Sequence, residues 1–237
     1  MKKGTLYLIP CPISDQTSVY DVTPAANKEV IDSLDYFIVE NLRSARRFLS
    51  KAKIARAIDT LEFRELSEHT TSQQDVESMV REIEQGRSAG VISEAGVPAV
   101  ADPGALIVEA CHRRNIRVVP LVGPSSIIMA MMASGLNGQS FAFNGYLPIK
   151  DPERSRSIKS FERRAQSERQ SQLFIETPYR NVKLLDQLLQ VLSPETKLTL
   201  AVAITDPEEF IATKSVKEWR VAQRPEMNKK PTIFIIG

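Results

Sequence analysis

The stretch Val91–Gly104, VISEAGVPAVADPG, limits what this chain can fold into more than any other. It opens with two β-branched residues and closes on Asp102-Pro103-Gly104. Gly96 and Pro98 stand between, and neither suits the interior of a regular helix or strand. ALIVEACHRRN follows with helical spacing, so the segment reads as strand, irregular loop, helix. Ile116–Ser126, IRVVPLVGPSS, repeats the plan with a short strand, a Gly-Pro loop and another helix. Two such units in succession predict two loops at the carboxyl ends of neighbouring parallel strands, where open α/β sheets bind small ligands. Neither loop carries G-x-G-x-x-G or the P-loop lysine, so the usual modes of holding NAD or ATP are not expected.

The rest of the chain fits around these units. Thr5–Ile9 reads as a buried strand ending in the rigid Pro10-Cys11-Pro12. Thr23-Pro24 reads as the N-cap and first residue of a helix reaching Ser33. Tyr36–Val39 is a second strand that delivers Glu40-Asn41 to its carboxyl end, and Arg43–Leu49 continues as a helix. Leu61–Leu66 is a third strand, and Ser72–Glu84 is an amphipathic helix. This β-α alternation implies a parallel sheet covered by helices.

After Ser134-Gly135-Leu136-Asn137-Gly138 the pattern changes. Phe141–Leu147 alternates like a strand, and Asp151–Arg169 is a charged helix with little apolar face. Gln172–Glu176 is a strand, Asn181–Leu192 a helix, Thr196–Ile204 and Phe210–Thr213 a pair of strands, and Thr232–Ile236 a last apolar strand. Strands outnumber helices here, so the second domain reads as α+β.

Composition narrows the function. Two cysteines, Cys11 and Cys111, show neither a disulfide framework nor ligand spacing, which points to a reduced, cytoplasmic compartment. Two histidines, His69 and His112, exclude a His-rich metal site, and no metal is expected. The apolar run Ile127–Ala133 is too short to span a bilayer. The N-terminal MKKGTLYLIPCP starts like a secretory leader, but Pro10 interrupts its apolar run, so it reads as a first strand. Residues 143–237 hold 16 Lys and Arg against 12 Asp and Glu, and residues 1–142 hold 15 against 17. The mildly basic C-terminal part is compatible with a nucleic-acid partner.

Taken together, ISEAGVPAVADPG, RVVPLVGPSS and FAFNGYLP resemble the tetrapyrrole (corrin/porphyrin) methylase superfamily of S-adenosylmethionine (SAM)-dependent methyltransferases. Within it the chain is most similar to the small-subunit rRNA methyltransferase I family, which methylates a ribose 2′-OH of 16S rRNA. The likeness runs from GTLYLIPCPI to PTIFIIG. It implies an N-terminal parallel-sheet α/β domain over residues 1–123 and a C-terminal α+β mixed-sheet domain over residues 124–237. It also implies a SAM cleft between them, a homodimer, and 16S rRNA or the small ribosomal subunit as partner, with no membrane association. Two other readings stay open: a porphyrin or corrin C-methyltransferase, and a SAM-binding protein without catalysis.

By the resemblance, Pro10 and Pro12 approach the cofactor, and Ala95, Gly96, Val97 and Val100 line it, with Asp102 nearby. Ser125 and Ser126 contribute from the Gly-Pro loop. Glu176-Thr177, Ala203–Thr205 and Pro231-Thr232 close over the adenosyl group. Three departures stand out. Glu40-Asn41-Leu42-Arg43 replaces the usual Glu-Asp-x-Arg, Glu68-His69 replaces Asp-His, and Ser14-Asp15 replaces Gly-Asn.

Methyl transfer is an in-line displacement, so the protein must hold donor and acceptor about 3 Å apart and aligned. Gly96 permits close backbone approach. Ser125 and Ser126, at a helix start, suit a carboxylate such as the methionyl end of SAM. Asp102 either faces polar groups of SAM or caps its own helix. A 2′-OH acceptor calls for a general base, and Glu40, His69 and Glu176 each lie near a predicted strand end. Arg43 either holds a phosphate or balances Glu40. The charged helix Asp151–Arg169 is either a solvated face or an RNA-facing stripe.

Overall fold

Alternate residues of the central strands in the first half of the chain enter two different cores. Tyr36 and Ile38 join one apolar cluster while Phe37 and Val39 join another, as the two-residue period of a strand requires. Leu6 and Leu8 separate from Tyr7 and Ile9 in the same way. A sheet apolar on both faces must be covered on both, which is the environment of parallel α/β strands.

The computed structural model describes residues 2–66 and 72–237. The chain divides into two compact units, Met1–Ser125 and Ser126–Gly237. In the first, the strands β1 (Thr5–Ile9), β2 (Tyr36–Val39), β3 (Glu62–Glu65), β4 (Ala89–Ile92) and β5 (Arg117–Pro120) form a sheet in the order β3-β2-β4-β1-β5, parallel throughout. The helices are α1 (Val19–Val22), α2 (Ala26–Ser33), α3 (Leu42–Lys51), α4 (Gln73–Glu84) and α5 (Gly104–Arg113). A capping box between Ser72 and Asp75 starts α4, which buries Val76, Met79, Val80 and Ile83.

Two expectations need correction. The strands of the two central units, β4 and β5, are not neighbours, because β1 lies between them. Composition explains the order. TLYLI is apolar toward both faces and belongs inside the sheet, whereas EFRE and RVVP expose charge or proline and belong at its edges. Thr23 and Pro24 do not open α2. The Thr23 hydroxyl donates to the Val19 carbonyl and closes the preceding turn, and α2 begins at Ala26.

The second unit is a five-stranded mixed sheet. Its strands are β6 (Phe141–Tyr146), β7 (Ser171–Ile175), β8 (Lys197–Val202), β9 (Phe210–Ser215) and β10 (Thr232–Ile236), in the order β6-β7-β10-β8-β9. Only β6 and β7 pair in parallel. Its helices are α6 (Ser126–Ser134), α7 (Glu153–Ser167), α8 (Asn181–Val191) and α9 (Val216–Val221). The Thr213 hydroxyl donates to the Ser134 carbonyl, so α6 covers the face carrying Thr199 and Thr213. Helices α7, α8 and α9 cover the other, with Phe174, Phe234 and Trp219 in the core. Phe174 and Phe234 stack at 5.7 Å, and the Trp219 indole N–H donates to the Leu198 carbonyl at 2.7 Å. Helix α7 is shorter than the expected Asp151–Arg169. It also has a buried face, formed by Ile158, Glu162 and Ala165. Among the described residues, no helix is long and apolar enough to cross a membrane.

Candidate functional site

The carboxyl ends of β2, β4, β1 and β5 lie side by side, and backbone contacts fix the loops that leave them. The Glu40 N–H donates to the Ile92 carbonyl at 3.1 Å, and the Glu40 Oε2 accepts from the Glu94 N–H at 3.1 Å. Cys11 and Gly96 exchange two backbone hydrogen bonds, of 2.8 and 3.1 Å, which join the Pro10–Pro12 loop to the Ala95–Val100 loop. Gly96 has φ +69°, a conformation that glycine adopts without penalty. On the far side, the Leu121 N–H donates to the Leu8 carbonyl. Gly123 packs so tightly on Pro10 that an added Cβ would overlap the proline ring. The structure thus brings together Pro10, Pro12, Ala95, Gly96, Val97, Val100, Asp102 and Glu40.

Asp102 is turned into its own loop. Its oxygens accept from the Ala99 N–H at 2.9 Å and the Gly104 N–H at 2.7 Å. Burial pushes its carboxyl above the ordinary range, and the Gly104 and Ala99 N–H groups pull it back part of the way. Ala99 and Ala101 are held at φ +66° and +60°. Such left-handed alanines cost about 1–3 kcal/mol each and concentrate at functional loops. Val100, between them, is 49% exposed.

Arg43 is exposed on α3, two residues after Asn41. Asn41 is the N-cap of that helix, its side-chain oxygen accepting from the Ser44 N–H at 2.9 Å. Glu68 and His69 lie outside the described residues. Ser125 immediately precedes α6 in the chain, and Ser126 is its first residue.

In the second unit the expected segments meet at the end of β7, the start of β10 and the end of β8, which are adjacent in that order. The Ala203 N–H donates to the Pro231 carbonyl, and the Thr205 N–H to Glu209 Oε2. Ala203 and Thr205 have φ +49° and +68°. Glu176 is buried, and its Oε1 accepts from the Thr177 N–H and Arg180 Nη2, each at 2.7 Å. Its Oε2 has no partner, nor does Arg180 Nε or Asn181 Oδ1, and all three are buried. Asn181 Nδ2 is committed to the Lys230 carbonyl at 2.7 Å and Thr232 Oγ1 at 3.2 Å, which fixes the amide. Glu176, Thr177, Ala203, Thr205, Pro231 and Thr232 are therefore neighbours.

Arg180 and Asn181 were not expected. The polar run Glu176–Asn181 between a strand and a helix was their only trace in the sequence, where Asn181 read simply as a helix start. Buried acceptors without donors are rare in a native fold. Here they suit a group rich in donors, such as ribose hydroxyls or an adenine amino group.

Comparison with known proteins decides the family. The model for Tetrapyrrole (Corrin/Porphyrin) Methylases matches residues 6–219. The chain belongs to the tetrapyrrole (corrin/porphyrin) methylases. It is 33% identical over 206 residues to the ribosomal RNA small subunit methyltransferase I of Vibrio cholerae, covering 87% of this chain and 67% of that one. It is 30% identical over 236 residues to the protein of that name from Haemophilus influenzae, covering 98% and 78%. A solved uroporphyrin-III C-methyltransferase from Thermus thermophilus, complexed with S-adenyl homocysteine, shares the fold. Its TM-score is 0.54 at 14% identity, covering 99% of this chain and 97% of that one. As a member of this family, the chain is a SAM-dependent methyltransferase with a parallel-sheet α/β unit followed by a mixed-sheet unit.

Proposed function

We propose that this methyltransferase modifies a ribose 2′-OH of 16S rRNA. The observation that carries the reading is similarity along nearly the whole chain to proteins named for small-subunit rRNA methylation. We assign SAM to the strand-end loops of the first unit and to those of the second. Bound SAM supplies a methyl group made electrophilic by its sulfonium.

The protein's own part is to position and to accept a proton. The Cys11–Gly96 bridge and the Asp102 contacts hold the first loops in one shape, so binding loses little to loop ordering. Ser125 and Ser126 receive the methionyl carboxylate. Glu176 Oε2 and Asn181 Oδ1 accept from the adenosyl group, which satisfies oxygens that otherwise lack partners. Glu40, tethered by the Glu94 N–H, and His69 are the groups we assign to proton acceptance from the 2′-OH, and Arg43 to the acceptor's phosphate. The enzyme works in the cytoplasm as a homodimer.

The test is transfer of labelled methyl from SAM to small ribosomal subunits of a deletion strain, followed by mapping of ribose methylation. A single new 2′-O-methyl nucleotide is the expected result. Transfer to a porphyrin instead, with 16S rRNA unmodified, overturns the reading.

A further inference from the structure

A cleft in the first unit opens from the strand-end loops. It lies between α3 and the loop after β1, and Cys11, Pro12 and Glu94 line its inner end. Ser44, Arg47 and Lys51 line the α3 wall. Arg43, Arg47 and Lys51 are spaced four residues apart, so they share one face of the helix. Ala45, Phe48 and Leu49 are buried and set the roll of α3. Arg46 is excluded from the row, because it is tied to Asp59 and lies 5.9 Å over the Phe63 ring.

The row is only loosely neutralised. Arg47 Nη1 and Lys51 Nζ each stand 3.7 Å from the Asp15 carboxylate, whose side chain is 75% exposed, and Lys51 Nζ also donates to the neutral Asp15 carbonyl at 2.8 Å. Exposed pairs of this kind contribute about 0–1 kcal/mol. Arg43 makes no ion pair with any other described residue. The first half of the basic helix α7 differs. Arg154 donates to the Pro148 and Ile149 carbonyls, Arg156 pairs with Glu153, and Lys159 pairs with Glu162.

We propose that Arg43, Arg47 and Lys51 form a docking row for backbone phosphates of the RNA acceptor, leading the strand to the loops around Pro12 and Glu94. A phosphate displaces Asp15 at little cost, and the planar guanidinium of each arginine can grip two phosphate oxygens at once. The inference rests on the RNA reading above, and its test separates the two.

The full chain is titrated with a small-subunit rRNA fragment between about 50 and 200 mM salt. Wild type, R43A/R47A, R43K/R47K and the α7 variant R154A/R156A are compared. Each phosphate contact contributes about 0.7–0.9 to the slope of log affinity against log salt. R43A/R47A is expected to flatten the slope by about 1.4–1.8 and to bind at least about tenfold more weakly at the low-salt end. R43K/R47K, which keeps the charge, retains the slope, R154A/R156A matches wild type, and SAM affinity is the same in all four. If wild type shows salt-dependent binding and R43A/R47A keeps its slope and affinity, the docking row is wrong and the RNA reading stands. If wild type binds no rRNA at any salt concentration, both fail.

Discussion

The second unit has a glutamate buried toward each end of its sheet, and the two ends use their carboxylates differently. Glu162 meets the chain just before β8. Its Oε1 accepts from the Ser193 N–H at 2.6 Å and the Thr196 hydroxyl at 2.5 Å, and its Oε2 accepts from Lys159 Nζ at 2.9 Å. Glu176 ends β7, with one oxygen doubly bonded and the other unpartnered. A buried carboxylate satisfied by its own chain belongs to the fold. One left half-satisfied has been desolvated without its hydrogen bonds, which costs about 1–3 kcal/mol or more for a charged group. Such a cost is recovered when a ligand brings donors. The first unit has its own counterpart to Glu162 in Asp102, whose oxygens are spent on the loop that holds them.

The largest effect therefore belongs to Glu162. Glu162→Leu strands the Ser193 N–H, the Thr196 hydroxyl and Lys159, and should cost about 3–5 kcal/mol in chemical denaturation. Burial pushes the Glu162 carboxyl up, but the bonds from Thr196, Lys159 and Ser193 outweigh it and hold it below its ordinary value of 4.5. The native state thus binds this proton less readily than the unfolded chain does. Its stabilisation is complete above about pH 4.5 and is lost as pH falls through the depressed native value. Glu162→Gln should remove that part of the acid sensitivity, and an unchanged acid limb would show that Glu162 does not set it.

Gly123→Ala comes next. Its Cβ would overlap Pro10, and a ring fixed between β1 and its loop cannot turn aside. Overpacking of this kind costs about 1–3 kcal/mol. SAM affinity should fall with stability, because the displaced loop is the one bridged to Gly96. A variant that melts early yet binds SAM as wild type does would separate this loop from the cofactor.

Glu176→Gln offers the inverse pattern. Stability without ligand should change little, since the glutamine oxygen can take the Oε1 position and accept from the same two donors while its NH2 stands at the unpartnered Oε2 position. SAM affinity should drop about 10- to 100-fold, the range expected when a charged hydrogen bond is lost. Scanning calorimetry reads the stability and calorimetric titration the affinity, on one preparation. Equal affinity in the two proteins would mean that the unpartnered oxygen does not face the cofactor.

These contrasts also show which parts of the molecule a sequence discloses. The strands Thr5–Ile9, Tyr36–Val39 and Thr232–Ile236 were readable because burial of both faces forces a continuous apolar run. The central loop was readable because Gly96, Pro98 and Pro103 interrupt regular structure. The order of strands was not, since nothing local to TLYLI says that it pairs with both β4 and β5. The unpartnered atoms of Glu176, Arg180 and Asn181 were also hidden. A missing hydrogen bond depends on every group around it, and Asn181 gains its meaning only from Lys230 and Thr232, some fifty residues away.

The smallest effect tests a departure from the family pattern. Asn41 stands where the rRNA enzymes usually have aspartate, and by itself the change could signal a different acceptor. Its observed task is local: the side-chain oxygen caps α3 through the Ser44 N–H, and Glu65 Oε1 takes the Leu42 N–H beside it. Asparagine and aspartate cap helices about equally well, while alanine loses about 1 kcal/mol. Asn41→Ala should therefore lower stability by about that amount, whereas Asn41→Asp should leave stability and methyl transfer to small subunits unchanged. The cap matters to function only through the roll and start of α3, the helix that carries Arg43 and Arg47. Should Asn41→Asp alter the acceptor while leaving the melting curve alone, the residue would touch substrate rather than the helix.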